Sequence, residues 1–201
     1  MKDGNIGIVI GDVSGHGIGS ALIMSETRAY LRAFAKVESD PAKLLTWLNK
    51  ELAVDLDDRH FVTLTLARLD RNQNSLVYAN AGHLPTYLFH SSGKVKDVMD
   101  STGIPLGIMC DYQYENSKVI KLIPDDIVVF LTDGITEAHA INDSEFGLNR
   151  ALDIISSYQH EPACQIIGQL YQAVGSFAKK RSPKDDITAI ICKVNTGKEI
   201  F

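Results

Sequence analysis

The sequence predicts an α+β fold in which two mainly antiparallel sheets pack face to face with helix pairs outside. Three observations carry that expectation. The elements run strand, two helices, many strands, two helices, strand, without the alternation that would ask for a parallel sheet. A polar turn, Asp70-Arg71-Asn72-Gln73-Asn74, joins two strand-like runs, Phe61 to Leu69 and Ser75 to Ala81, as a hairpin. Ile127 to Leu131 is apolar at every position between Asp126 and Asp133, the pattern of a central strand buried on both faces.

Each element has its own local cause. Ile6 to Ile10 is an apolar strand run that leads into Gly11-Asp12-Val13-Ser14-Gly15-His16-Gly17. Ile23, Thr27, Tyr30 and Phe34, flanked by Met24 and Leu31, trace a helical stripe from about Ile18 to Lys36. Asp40 as cap and Pro41 at the first helical position start a second helix, whose Leu44, Leu48 and Leu52 share one face. Short strands follow at Thr86 to His90, Val95 to Met99 and Ser117 to Leu122, separated by glycine-containing turns. Two further helices fit Leu148, Leu152 and Ile155, then Ile167, Leu170, Val174 and Phe177, before a last strand at about Ile187 to Val194.

With 201 residues and 45% hydrophobic composition, the chain suits a single medium domain with a full core. Its net charge of -5, with basic residues spread along the sequence, lacks the footprint of a nucleic-acid binder. No stretch has the length of a membrane span or the core of a signal peptide, so a cytoplasmic protein is expected. Cys110, Cys164 and Cys192 are odd in number and widely separated, which fits reduced thiols; all three are expected to be buried.

Three acids share a context. Asp12 stands at a strand end before a glycine turn, Asp133 does so before Gly134, and Asp185-Asp186 precedes the final strand. If the strands that carry them are neighbours, the carboxylates converge at one sheet end, where their mutual repulsion asks for a cation. Oxygen donors alone favour Mg or Mn over zinc. Taken singly, an Asp before Gly is an ordinary turn residue, so the shared placement carries the inference.

Five motifs in order then carry a family resemblance: Gly11 to Gly17, Ala81-Gly82-His83-Leu84-Pro85, Gly103-Ile104-Pro105-Leu106-Gly107, Leu131-Thr132-Asp133-Gly134-Ile135-Thr136-Glu137 and Asp185-Asp186-Ile187-Thr188. Together they resemble the metal-dependent protein phosphatases (PPM), in particular the bacterial SpoIIE/RsbU-like branch. The resemblance implies an αββα sandwich and a serine/threonine phosphatase with a centre of two Mn2+ or Mg2+ ions between the sheets. By motif, Asp12 would bridge the ions, the Val13 carbonyl would complete one, and Asp133 with Asp185 would hold the other. Gly134 and Asp186 would support these ligands, Asp186 standing where many relatives have Asn. The substrate implied is a phosphorylated anti-anti-sigma (STAS) protein, and the helix pair from Ile18 to Val54 resembles that branch's regulatory pair. Metal-activated water would attack phosphorus, so no Cys or Ser nucleophile is needed.

His16 suits a general acid by its ordinary pKa, but it lies four residues after Asp12, not two as in animal relatives with a catalytic histidine, so the turn-residue reading is favoured and the acid role stays open. His60, His83 and His90 lack metal-ligand spacing, and His83 is read as structural. The family's N-terminal strands, one with a supporting Gly-Asp motif, are not matched in Met1 to Ile10. An N-terminally truncated domain of a larger protein with an upstream sensory or response-regulator domain is therefore expected. Such a chain would hold metal more weakly, and its open sheet edge could form a homodimer. The alternative reading is a weak or inactive module that keeps the fold and binds a regulatory partner. A nucleotide-binding reading of the glycine loop fails for want of a Gly-Lys-Ser/Thr ending.

Overall fold

The structure, a computed structural model, describes residues 1–57, 59–178 and 186–195. The chain runs β1 (Ile6–Val13), α1 (Ile18–Phe34), α2 (Pro41–Asp55), β2 (Val62–Asp70), β3 (Ser75–Ala81), β4 (Thr86–Phe89), β5 (Val95–Met99), β6 (Ile120–Lys121), β7 (Ile127–Leu131), α3 (Asp133–Thr136), α4 (Leu148–Ser157), α5 (Ala163–Ala178) and β8 (Ala189–Lys193). It forms two compact units. The first joins Met1–His83 to Asp100–Leu122, and the second joins Leu84–Met99 to the chain from Ile123 onward.

The first unit holds an antiparallel sheet in the order β1-β2-β3-β6. Asp40 caps α2 by accepting from the Lys43 N–H at 2.9 Å, and Pro41 occupies the first turn, where its missing N–H has no partner to lose. Leu44, Leu48 and Leu52 are fully buried, as their spacing predicts, and Leu45 joins them in a core with Leu31, Val62, Leu64 and Leu66. Removing one such leucine side chain costs about 2–5 kcal/mol. The hairpin turn is tied by Asp70, whose carboxylate accepts from the Asn72 and Gln73 N–H groups at 2.9 Å each. Asn74 takes a left-handed conformation with φ 45°, which Asn tolerates well.

Expectation and structure part at β6, which has two residues instead of six. The cause is Ser117: its hydroxyl accepts the Tyr78 N–H at 3.1 Å, and its own N–H donates to the Tyr78 carbonyl at 2.8 Å. A side chain thus takes a bond that a longer strand would have made with its backbone.

The second unit holds an antiparallel sheet in the order β5-β4-β7-β8. β7 is buried at every residue and lies between β4 and β8, as its unbroken apolar run predicts. Its core gathers Tyr87, Phe89, Val129, Ile155, Ile166, Leu170 and Val174. Asp126, fully buried, accepts from Lys96 Nζ at 2.7 Å and the Ile123 N–H at 3.0 Å. Two sheets of antiparallel strands, each accompanied by a helix pair, agree with the fold class read from the sequence.

The cysteines do not follow expectation: Cys110 and Cys164 are exposed and Cys192 is half-buried, all three as free thiols. Asn49, itself buried, holds the loop of Cys110 by its backbone, accepting from the Gly107 N–H and donating to the Met109 and Cys110 carbonyls. That leaves the Cys110 side chain outside. Cys164 lies off the Ile166, Leu170, Val174 stripe that α5 buries. No helix among the described residues is long and apolar enough to cross a membrane.

Candidate functional site

In the first unit the site begins at the end of β1. Asp12 pairs with Thr63 across the β1–β2 ladder. Strand alternation puts Asp12 on the face of Ile10, while Val13 is buried with the leucines of α2. A Cβ on Gly11 would stand 2.7 Å from the Thr63 carbonyl, so this close approach of two backbones needs glycine. Past Val13, Ser14 clasps the partner strand: its N–H donates to the Phe61 carbonyl at 3.0 Å and its Oγ accepts the Phe61 N–H at 2.9 Å. Gly15 and Gly17 then turn the chain into α1 with φ of 83° and 92°. His16 is exposed in this turn.

His83 is buried and held by its backbone, which donates to Asn80 Oδ1 at 2.8 Å and accepts from Asn80 Nδ2 at 3.1 Å. Its Nδ1 lies 2.9 Å from Thr63 Oγ1. His60, which lacks metal-ligand spacing in the sequence, has its Nδ1 2.6 Å from Asp57 Oδ1. The Arg59 guanidinium first, and His60 after it, hold the Asp57 carboxyl well below the usual carboxylate range.

In the second unit the site follows β7. Thr132 immediately precedes the single turn α3, which the sequence pattern did not show, and the half-buried Asp133 is its first residue. The Thr132 hydroxyl donates to the Asp186 carbonyl at 3.0 Å and accepts the Thr188 N–H at 2.9 Å. Gly134 lies so close under the Asp186 carbonyl that any Cβ there would collide with it. Asp133, Gly134 and the backbone of Asp186 are thereby brought together, while the Asp186 residue is itself exposed. Asp185 lies outside the described residues.

Of the acid-bearing strands, β7 and β8 pair within one sheet, while β1 belongs to the other. Local pattern identifies strands but not their partners, which are set by packing between distant segments. Among the described residues no three His, Cys, Asp or Glu side chains are grouped to hold a metal ion. The candidate donors of each unit, the Asp12 carboxylate with the Val13 carbonyl and the Asp133 carboxylate, are hard oxygen atoms of the kind that suits Mg or Mn.

Comparison with known proteins bears on this arrangement. The family model for stage II sporulation protein E (SpoIIE) matches residues 2–195. The chain belongs to the SpoIIE family. Among relatives of this SpoIIE-family chain is phosphoserine phosphatase RsbU of Bacillus subtilis, 30% identical over 138 residues, which cover 69% of the chain and 41% of RsbU. The SiaA-PP2C domain of Pseudomonas aeruginosa superposes with a TM-score of 0.82 at 22% identity, covering 94% of the chain and 76% of that domain. The RsbU and RsbW domains of a Mycobacterium tuberculosis protein give 0.78 at 21% identity, over 97% of the chain and 53% of theirs. The SpoIIE-family chain thus has the fold of PP2C domains, as its five ordered motifs imply.

Proposed function

We propose that the chain is a metal-dependent protein serine/threonine phosphatase that hydrolyses phosphoserine or phosphothreonine on a STAS-type protein in a partner-switching pathway. The observation that carries the reading is the Asp133 turn: an acid stands at the start of a helical turn that is locked to the Asp186 backbone by Thr132 and Gly134, in a chain of the SpoIIE family. Relatedness to RsbU supports the phosphoserine specificity, and the solved protein that carries RsbU and RsbW domains supports the partner-switching setting.

Asp12 and the Val13 carbonyl would hold one divalent cation, and Asp133 with Asp185 would hold another. The cations are Mn2+ or Mg2+. When bound, such ions lower the pKa of water to near neutrality and screen phosphate oxygens. The residues of the chain hold the donors in place: the Ser14 clasp fixes the end of β1, and Thr132 fixes the start of α3. Gly134 keeps the Asp186 backbone close. The reaction is placed in the cytoplasm, where three unpaired cysteines would stay reduced.

The test is release of phosphate from a phosphorylated STAS protein with Mn2+ present, with EDTA, and with Asp133→Asn. Release that needs Mn2+ and falls at least about 100-fold in the variant supports the reading. Release untouched by EDTA or by the substitution overturns it.

A further inference from the structure

Two threonines on β2 face the same direction, two residues apart, and their hydroxyls are treated differently. Thr65 stands opposite Ile10, is fully buried, and its Oγ1 has no hydrogen-bond partner among the described residues. Thr63 stands opposite Asp12, and its Oγ1 lies 2.9 Å from His83 Nδ1 and 3.4 Å from the Asp12 carbonyl oxygen. A hydroxyl has a single proton, so it donates to Asp12 only when His83 carries its proton on Nδ1 and donates to the hydroxyl in turn. That arrangement makes one directed chain, from His83 to Thr63 to Asp12.

The far end of the chain is anchored by hydrogen bonds. Asn80, fully buried, grips both backbone atoms of His83. Asn80 is in turn held by Thr102, whose Oγ1 accepts the Asn80 N–H at 3.0 Å and whose N–H donates to the Asn80 carbonyl at 3.0 Å. On the other side of Val13 the Ser14 clasp holds β1 to Phe61. The two peptides that carry the Asp12 carboxylate and the Val13 carbonyl are therefore braced from both ends.

We propose that Thr63 and His83 are positioning residues that fix the Asp12 peptide, so that the Asp12 carboxylate and the Val13 carbonyl meet one cation. The inference rests on the metal-dependent reading above. The effect of Thr63 and His83 is on the affinity of the ligand pair, because supporting hydrogen bonds orient metal donors before the ion arrives.

Calorimetric titration of the chain with Mn2+ tests it. Thr63→Val keeps the shape and removes the hydroxyl; it is expected to raise the dissociation constant about ten-fold. Thr63→Ser is expected to restore it. Thr65→Val, the same change one register step away, is expected to leave it unchanged. His83→Phe combined with Thr63→Val is expected to weaken binding no more than the larger single change, as for two links of one chain. Thermal midpoints of all variants exclude unfolding as the cause. If wild type binds Mn2+ and Asp12→Asn does not, while Thr63→Val binds as wild type does, the positioning role is wrong and the metal reading stands. Equal weakening by Thr63→Val and Thr65→Val also overturns it, since that is a packing effect. If wild type takes up no Mn2+, or Asp12→Asn binds as well, both fall.

Discussion

Gly134→Ala is the sharpest test of how the second unit holds its acid. Two effects oppose one another. In a helix interior, alanine is favoured over glycine by about 0.5–1 kcal/mol, though α3 is a single turn and gains less. Against this, the new methyl would collide with the Asp186 carbonyl oxygen, stand 2.9 Å from its carbon and 3.3 Å from the Ile187 nitrogen. These are backbone atoms, which cannot swing aside as a side-chain tip can. Overpacking of this kind costs about 1–3 kcal/mol, so the collision wins and the net loss is about 1–2 kcal/mol. For a chain of this size that is a fall of about 2–8 °C in the thermal midpoint. Gly168→Ala is the matched control. It sits in α5 with nothing within 4 Å of an added Cβ, so propensity alone acts and the midpoint is expected to rise. Thermal unfolding followed by circular dichroism measures both. A Gly134→Ala protein that melts at or above the wild-type temperature would refute the close approach, and with it the account of how Asp133 is placed.

Other expectations follow from single contacts. Lys96→Met strips the partner from the fully buried Asp126 carboxylate. Because the Lys96 side chain is itself about one-third exposed, at 32%, and water can replace part of its effect, the loss in urea unfolding is expected near 1–3 kcal/mol. Asp57 is held ionised by Arg59 and His60, so its folded pKa is depressed. Its contribution is therefore present above the ordinary Asp value of about 3.9 and lost as pH falls below it. The midpoint difference between wild type and Asp57→Asn should accordingly shrink from pH 6 to pH 3, and a difference that grows in acid would contradict the pairing. Maleimide labelling of the native protein, read by mass spectrometry, should modify Cys110 and Cys164 before Cys192, whose thiol is pushed up by burial. Fastest labelling at Cys192 would contradict that order.

What the sequence made legible was whatever has a short-range cause. Asp40, Pro41 and the leucine stripe specify α2 from within one segment, and the unbroken run of β7 announces a strand covered on both sides. α3 was hidden because one turn is too short to show a 3.6-residue period; only Asp133 before Gly134 hinted at it. The apolar runs alone did not show that β1 and β7 belong to different sheets, since such a run says that a strand is buried and not what it pairs with. Among site residues, the acids stood out by charge beside glycine. Thr63 and Thr132 did not, because threonine in a strand looks like any β-former until its hydroxyl is seen to bond at Asp12 or Asp186. The signal that could have found Thr132 is its place directly before Asp133. Nothing comparable marks Thr63.

The central claim is that the acids of the two turns hold cations for phosphoester hydrolysis. Its most direct measurement is the rate of phosphate release from a phosphoserine STAS protein as Mn2+ is titrated, for wild type and for Asp12→Asn. The account predicts a saturable rise with Mn2+ in wild type and a nearly flat line in the variant. A wild-type rate independent of Mn2+, or an Asp12→Asn curve that overlays it, would contradict the account.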